Sequence, residues 1–155
     1  MKASELMTPQ PACCTPEDTI RLASQLMREH DCGCIPVVED KESNRLAGVV
    51  TDRDIACRCT AEGKGPETKV KEAMTRDPKC CQGDDDVAVV ENIMAEAQVR
   101  RVPVVDNEGC CVGMIAQADL ATNTRAATDS EVGKVVERIS EPAHAGGSTV
   151  PGPVW

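Results

Sequence analysis

The chain contains no phenylalanine and no tyrosine, and its single tryptophan is the last of its 155 residues. A core must therefore be packed from aliphatic, methionine and cysteine side chains. A planar ligand would have to slot between such side chains, because there is no ring to stack on. Positive charge is also scarce: 17 Lys and Arg against 26 Asp and Glu leave a net charge of −9. That balance argues against bulk binding to nucleic acid or an anionic membrane, since few cations are present to displace phosphate counterions. No apolar run approaches the length of a membrane span, and the first eight residues lack the apolar stretch of a signal peptide. The expectation is a cytoplasmic protein, in which the ten cysteines stay reduced. With only two histidines, His30 and His144, no Ser/His/Asp or Cys/His constellation presents itself, and an enzyme is not expected.

What the chain has in plenty is likeness to itself. Met7-Thr8 and Pro36-Val37-Val38 recur 67 positions later as Met74-Thr75 and Pro103-Val104-Val105. Gly48 and Asp54 recur 65 positions later as Gly113 and Asp119, so the turn between the Pro and the Gly is two residues shorter in the second copy. Loops lose residues more readily than packed elements do. A long unit present twice is no solenoid; it predicts two halves about a pseudo-twofold axis, with ligand clefts where they meet.

Within each copy the pattern reads β-α-β-β-α. In the first, Thr15-Pro16-Glu17-Asp18 has the chemistry of a helix start, and Ile20, Ala23, Leu26 and Met27 then fall on one helical face running to about His30. Two apolar runs follow, at 34–39 and 46–50, separated by a polar turn and predicting a hairpin. A second helix is expected from about Asp52. The second copy repeats this with Asp84-Asp85-Asp86 as the helix start, Val87, Val90, Ile93 and Met94 on the buried face, a hairpin over 101–115, and a helix from about Gln117. Residues 12–14 and 79–81 are expected to form short leading strands. The predicted organisation is repeat one over 1–60, a linker over 61–69, repeat two over 70–124, a helix over 125–140 and a tail over 141–155. Thr128-Asp129-Ser130-Glu131 reads as a capping box for that last helix, with Val132, Val135, Val136 and Ile139 on one face.

Taken together, Leu6-Met7-Thr8-Pro9, Cys34-Ile35-Pro36-Val37-Val38 and Gly48-Val49-Val50-Thr51-Asp52-Arg53-Asp54, with their counterparts Ala73-Met74-Thr75, Arg101-Val102-Pro103-Val104-Val105-Asp106 and Gly113-Met114-Ile115-Ala116-Gln117-Ala118-Asp119, resemble a tandem cystathionine-β-synthase (CBS) domain pair, or Bateman module. The likeness covers residues 3–122 and is greatest to small stand-alone bacterial members associated with stress responses. It implies an adenine nucleotide (AMP, ADP or ATP) or another adenosyl compound as regulatory ligand, a homodimer of modules and a regulated partner protein. No metal is expected. The resemblance further implies one cleft with Thr51 and Asp54 against Met74, Thr75, Val99, Arg100 and Arg101. The other would hold Ala116 and Asp119 against Met7, Thr8, Cys32, Gly33 and Cys34.

The residues suit those roles. A carboxylate near a helix start can accept both hydroxyls of a ribose. A Thr hydroxyl among open helix N–H groups suits a phosphate oxygen, and a guanidinium fork suits phosphate as well. Asp54 and Asp119 also fit a plainer role as helix caps, and Arg100 and Arg101 alternate across a strand, so that only one need face a ligand.

The cysteines come in couples: 13/14, 32/34, 57/59, 80/81 and 110/111. Cysteine packs as a small hydrophobe, and a core without rings has use for it. The alternative is a thiol-based redox or metal sensor on the same scaffold, for which Cys32-Gly33-Cys34 is the best-placed pair.

Overall fold

The structure is a computed structural model, and it describes residues 1–123 and 129–140. Thr128 of the expected capping box, His144, the tail and Trp155 lie outside the described residues.

The chain is mixed α/β and contains the two repeats. In the first, Cys14 makes a parallel bridge to Val37 and is followed by α2 (Ile20–Glu29), β2 (Cys34–Val38), β3 (Leu46–Thr51) and α3 (Asp52–Ile55). In the second, β5 (Cys81–Gln82) is followed by α4 (Val87–Ala97), β6 (Arg101–Val105), β7 (Cys111–Ala116) and α5 (Gln117–Thr122). Outside this plan stand α1 (Ala3–Leu6), β1 (Thr8–Pro9), β4 (Thr75–Arg76) and α6 (Asp129–Ser140). One sheet has the order β2-β3-β4 and the other β1-β7-β6-β5.

Backbone strain is duplicated along with the sequence. Left-handed residues that are not glycine occur at Gln10 and Asp77 (φ 47° and 48°) and at Asp31 and Gln98 (φ 49° and 55°), each pair with the 67-residue spacing. Asn44 and Gly109 (φ 55° and 81°) share the shorter spacing. A left-handed L-residue costs about 1–2 kcal/mol. Both copies therefore keep the same three reversals of direction: before the leading strand, after the long helix and in the hairpin turn.

Two compact units result, and the chain enters each more than once. The first comprises Met1–Thr8, Lys79–Val104 and the chain from Met114 onward. In it the N-terminal turn lies on the second repeat: the Ala3 and Ser4 N–H groups donate to the carbonyls of Asp85 and Gly83 at 2.8 and 2.9 Å. Asp86 caps α4 by accepting from the Ala88 N–H, and Val87, Val90 and Met94 are buried. Helix α6 packs on α4 and α5, burying Val135 and Ile139, while Val132 is half-buried and Val136 exposed.

The second unit comprises Pro9–Pro78 and Val105–Gly113. Its core gathers Ile20, Ala23 and Met27 from α2 with Ile35, Val37 and Val50 of the hairpin, Cys14, Cys59, and Val70, Ala73 and Met74 from beyond the linker. The linker is tied to α2, since the Ile20 and Arg21 N–H groups donate to the carbonyls of Thr68 and Pro66. Helix α2 starts later than its sequence suggests. Asp18 accepts from the Thr15 N–H at 2.8 Å and closes Thr15–Asp18 into a turn, leaving Thr19 to cap the helix through the Leu22 N–H. The helix begun at Asp52 also changes form after one turn, continuing as a π-helix over Ala56–Thr60.

Candidate functional site

In the second unit the antiparallel register places Cys34 opposite Thr51, and Val49 opposite Thr75. The motif residues of repeat one and the Met74-Thr75 segment therefore share one end of a three-stranded sheet. Gly48 permits this approach: a Cβ there would collide with the Met74 methyl and the Thr75 carbonyl oxygen. At the end of β3 the chain turns into α3 through a reciprocal cap. Thr51 Oγ1 accepts from the Asp54 N–H at 3.1 Å, and Asp54 Oδ2 accepts from the Thr51 N–H at 2.9 Å. The first helical N–H, that of Asp52, donates to the Gly33 carbonyl at 3.1 Å. Asp54 is 1% exposed, an ionisable side chain in a place usually apolar.

A residue that sequence reasoning passed over completes this site. Arg58, on the π-helix, stands with Nε 3.8 Å from Asp54 Oδ1. Its Nη1 donates to the carbonyls of Ala73 and Met74 at 2.9 and 3.1 Å and reaches Thr75 Oγ1 at 3.5 Å. The spacing from Asp54 to Arg58 is a legible i,i+4 ion pair. The reach to Ala73 and Met74 has no sequence signal, because it depends on where the linker returns the chain.

The first unit holds the second copy in reduced form. Asp119 Oδ2 accepts from the Ala116 N–H at 2.7 Å, and the Gln117 N–H donates to the Arg100 carbonyl at 2.8 Å. Ala116 has no hydroxyl to return the cap, and Asp119 is half-buried. Val99 is half-buried behind a bond from its N–H to the Met94 carbonyl, Arg100 is exposed and Arg101 is half-buried at the start of β6. Met7 is half-buried and Thr8 lies exposed on β1. Each helix start thus binds the pre-Pro segment of its own repeat: Gly33 for Asp52, Arg100 for Gln117. Thr51, Asp54, Met74 and Thr75 share a unit with Cys32, Gly33 and Cys34, whereas Asp119 shares one with Met7, Thr8, Val99, Arg100 and Arg101.

All ten cysteines are thiols. In each adjacent couple one member is buried (Cys14, Cys81, Cys111), as alternation along a strand requires. Burial pushes the thiols of Cys14 and Cys81 up to about 12 and about 11. Among the described residues no group of three or more His, Cys, Asp or Glu is placed to hold a metal ion, and no helix is long and apolar enough to cross a membrane.

A duplicated helix start with a carboxylate at its third position, fed by a Pro-Val-Val hairpin, defines a paired-repeat protein. Residues 3–58 and 70–124 each match the CBS domain, and the chain belongs to that family. It is 38% identical over 136 residues to the CBS domain-containing protein YhcV of Bacillus subtilis, covering 88% of this chain and 93% of that one. It is 38% identical over 121 residues to hypoxic response protein 1 of Mycobacterium tuberculosis, covering 77% and 82%. Among solved structures, a crystal structure of a hypoxic response protein with two coordinated zinc ions matches with a TM-score of 0.71 at 34% identity, covering 79% of this chain and 98% of that one.

Proposed function

We propose that this protein is a non-catalytic regulatory module that binds an adenosyl ligand, AMP, ADP or ATP in the first instance, and that occupancy alters its assembly and its contacts with a regulated protein. The observation that carries this reading is the carboxylate set by backbone hydrogen bonds at the same position of two helix starts, Asp54 and Asp119. A carboxylate fixed in this way presents a preset acceptor for a ribose diol. The CBS domain pair of protein MJ0100, 25% identical with a TM-score of 0.70 and covering 78% of this chain and 93% of that one, was crystallised with 5′-methylthioadenosine and S-adenosylmethionine. Around Asp54 the ligand residues are Thr51, Met74 and Thr75; around Asp119 they are Met7 and Thr8. Cys32, Gly33, Cys34, Val99, Arg100 and Arg101 supply the pre-Pro walls.

The module acts in the cytoplasm as a homodimer. Val136, exposed at 37% on α6, offers part of the surface that a partner copy would cover. A monomeric mass by analytical ultracentrifugation, with and without nucleotide, would overturn the dimer. Thermal shift with AMP, ATP, S-adenosylmethionine and zinc tests the ligand class. Stabilisation by an adenosyl compound supports the reading; stabilisation by zinc alone would replace it with a metal sensor on the same scaffold.

A further inference from the structure

A cavity of about 680 Å³ opens in the second unit, and none of the residues assigned above to the adenosyl sites lines it. Small-molecule sites usually enclose about 300–1,000 Å³. One wall is α2, which presents Arg21, Ser24, Gln25 and Arg28 at the i, i+3, i+4, i+7 spacing of a single helical face. The rest of the lining includes Ile55 of α3, Thr60 at the end of the π-helix, and Lys64 and Pro66 of the linker. Backbone bonds hold the linker in place: the Arg21 N–H donates to the Pro66 carbonyl at 3.2 Å, and the Lys64 N–H to the Cys59 carbonyl at 2.9 Å. Buried Ile20 and half-buried Ile55 supply apolar surface.

Three cations stand round this cavity in a chain of net charge −9, and among the described residues no acidic side chain is part of its lining. They are not equally committed. Arg21 pairs with Glu67 at 2.6 Å and Lys64 with Glu72 at 3.3 Å, but these four side chains are between 39% and 69% exposed. Exposed pairs contribute little, so a more highly charged anion displaces either carboxylate readily. Arg28 has no ionic partner among the described residues. Seven residues of helix set it about 10 Å along α2 from Arg21. The second repeat has Ala88 and Ala95 at the matching positions, 67 residues on, and there α6 packs on the helix. The spaced arginines therefore belong to the first repeat alone.

We propose that this cavity binds an elongated organic bisphosphate, with one phosphate on Arg28, the other on Arg21 and Lys64, and an apolar stem along Ile20 and Ile55. A guanidinium fork takes phosphate oxygens two at a time. A phosphate monoester carries about −1.5 to −2 at pH 7, against a single charge on Glu67 or Glu72, so it takes the two paired cations where a carboxylate ligand would have to share them. Gln25 and Thr60 add neutral donors. Occupancy ties α2 to the linker that leads into the second repeat. The site is separate from Asp54 and Asp119 and stands whether or not those positions hold an adenosyl ligand.

The test titrates the full chain by calorimetry with hexane-1,6-diyl bisphosphate, with and without excess AMP, and in parallel with ethane-1,2-diyl bisphosphate and inorganic phosphate. The six-carbon compound is expected to bind at one site, more tightly than the other two, and to weaken as salt is raised. AMP is expected to leave its affinity unchanged. Arg28→Ala, a change well suited to an exposed helix position, is expected to weaken binding about tenfold or more. Lys41→Ala removes an exposed cation outside the cavity and is expected to have no effect. Amide NMR of the unaltered chain gives an answer that depends on no variant: shifts are expected along α2 and over 60–66. No binding, equal affinity for the three compounds, full affinity in Arg28→Ala, loss of binding with AMP, or shifts centred on Thr51 and Asp54 would overturn the proposal.

Discussion

Arg58 Nη1 donates to the carbonyl oxygen of Met74 at 3.1 Å, binding the π-helix after the first acidic motif to the segment that opens the second repeat. The same nitrogen takes the Ala73 carbonyl, and Nε faces Asp54. One half-exposed guanidinium thus joins the carboxylate of one repeat to the Met-Thr of the next.

Arg58→Ala should loosen that segment. Hydrogen bonds with a charged partner contribute roughly 1.5–3 kcal/mol each, but Arg58 is 39% exposed and solvent weakens the contribution. The expected loss is about 1–2 kcal/mol in urea unfolding, on the scale of ordinary single substitutions. Arg58→Lys keeps the charge without the fork and should recover only part of it. An unchanged midpoint in both variants would show that these contacts do not bear on stability.

Gly48→Ala attacks the same junction from the strand side. Its Cβ would enter space held by the Thr75 carbonyl oxygen, which is backbone and cannot turn aside. Overpacking of this kind costs about 1–3 kcal/mol. A parallel loss of ligand affinity is expected, because the displaced atoms belong to the Met74-Thr75 segment. Gly65→Ala, where a Cβ meets nothing, is the control and should be neutral in both measurements.

The contrast between these two residues shows what the sequence could convey. Gly48 was legible as a mark of the repeat, since it recurs as Gly113, but the collision that a side chain there would meet was not. The hairpins, the buried faces of α2 and α4 and the helix starts at Asp52 and Gln117 were legible for the same reason: each has a local signature, stated twice. Thr15-Pro16-Glu17-Asp18 misled because a turn and a helix cap use the same side-chain-to-backbone bond, and the choice of Thr19 rests on the linker that ties down Ile20. The reach of Arg58 to Ala73 and Met74 was not legible. It joins residues through a chain reversal that no periodicity reports.

Alkaline pH should expose the buried thiols. Burial, with Asp18 adding to it, pushes Cys14 to about 12 from an ordinary value of 9.0; burial, with Asp85 adding to it, pushes Cys81 to about 11. Below pH 9 both thiols are protonated in the folded and the unfolded chain, so their contribution is fully present. As pH rises from there towards 11–12, only the unfolded chain ionises, and stability falls. Urea midpoints measured across this range should decline, and Cys14→Val, which removes one titrating group while keeping a small apolar side chain, should flatten the slope. Equal slopes in the two proteins would mean that Cys14 ionises as easily folded as unfolded.

The two helix starts should bind unequally, with Asp54 dominant. Thr51 Oγ1 accepts from the Asp54 N–H and still has its own proton to donate to a phosphate oxygen, whereas Ala116 has none. A hydrogen bond to a charged oxygen is worth roughly 1.5–3 kcal/mol, about ten- to a hundredfold in affinity. Asp54→Asn is therefore expected to remove most of the heat of AMP or ATP binding in calorimetry, and Asp119→Asn to remove little. Because Asp54 also caps α3, its variant needs a melting curve alongside, and Thr51→Val serves as the partial form of the same test. The reverse ranking would place the stronger ligand contacts at Asp119, where Arg100 and Arg101 share the unit, and two equal sites would mean that the Thr51 hydroxyl adds nothing to binding.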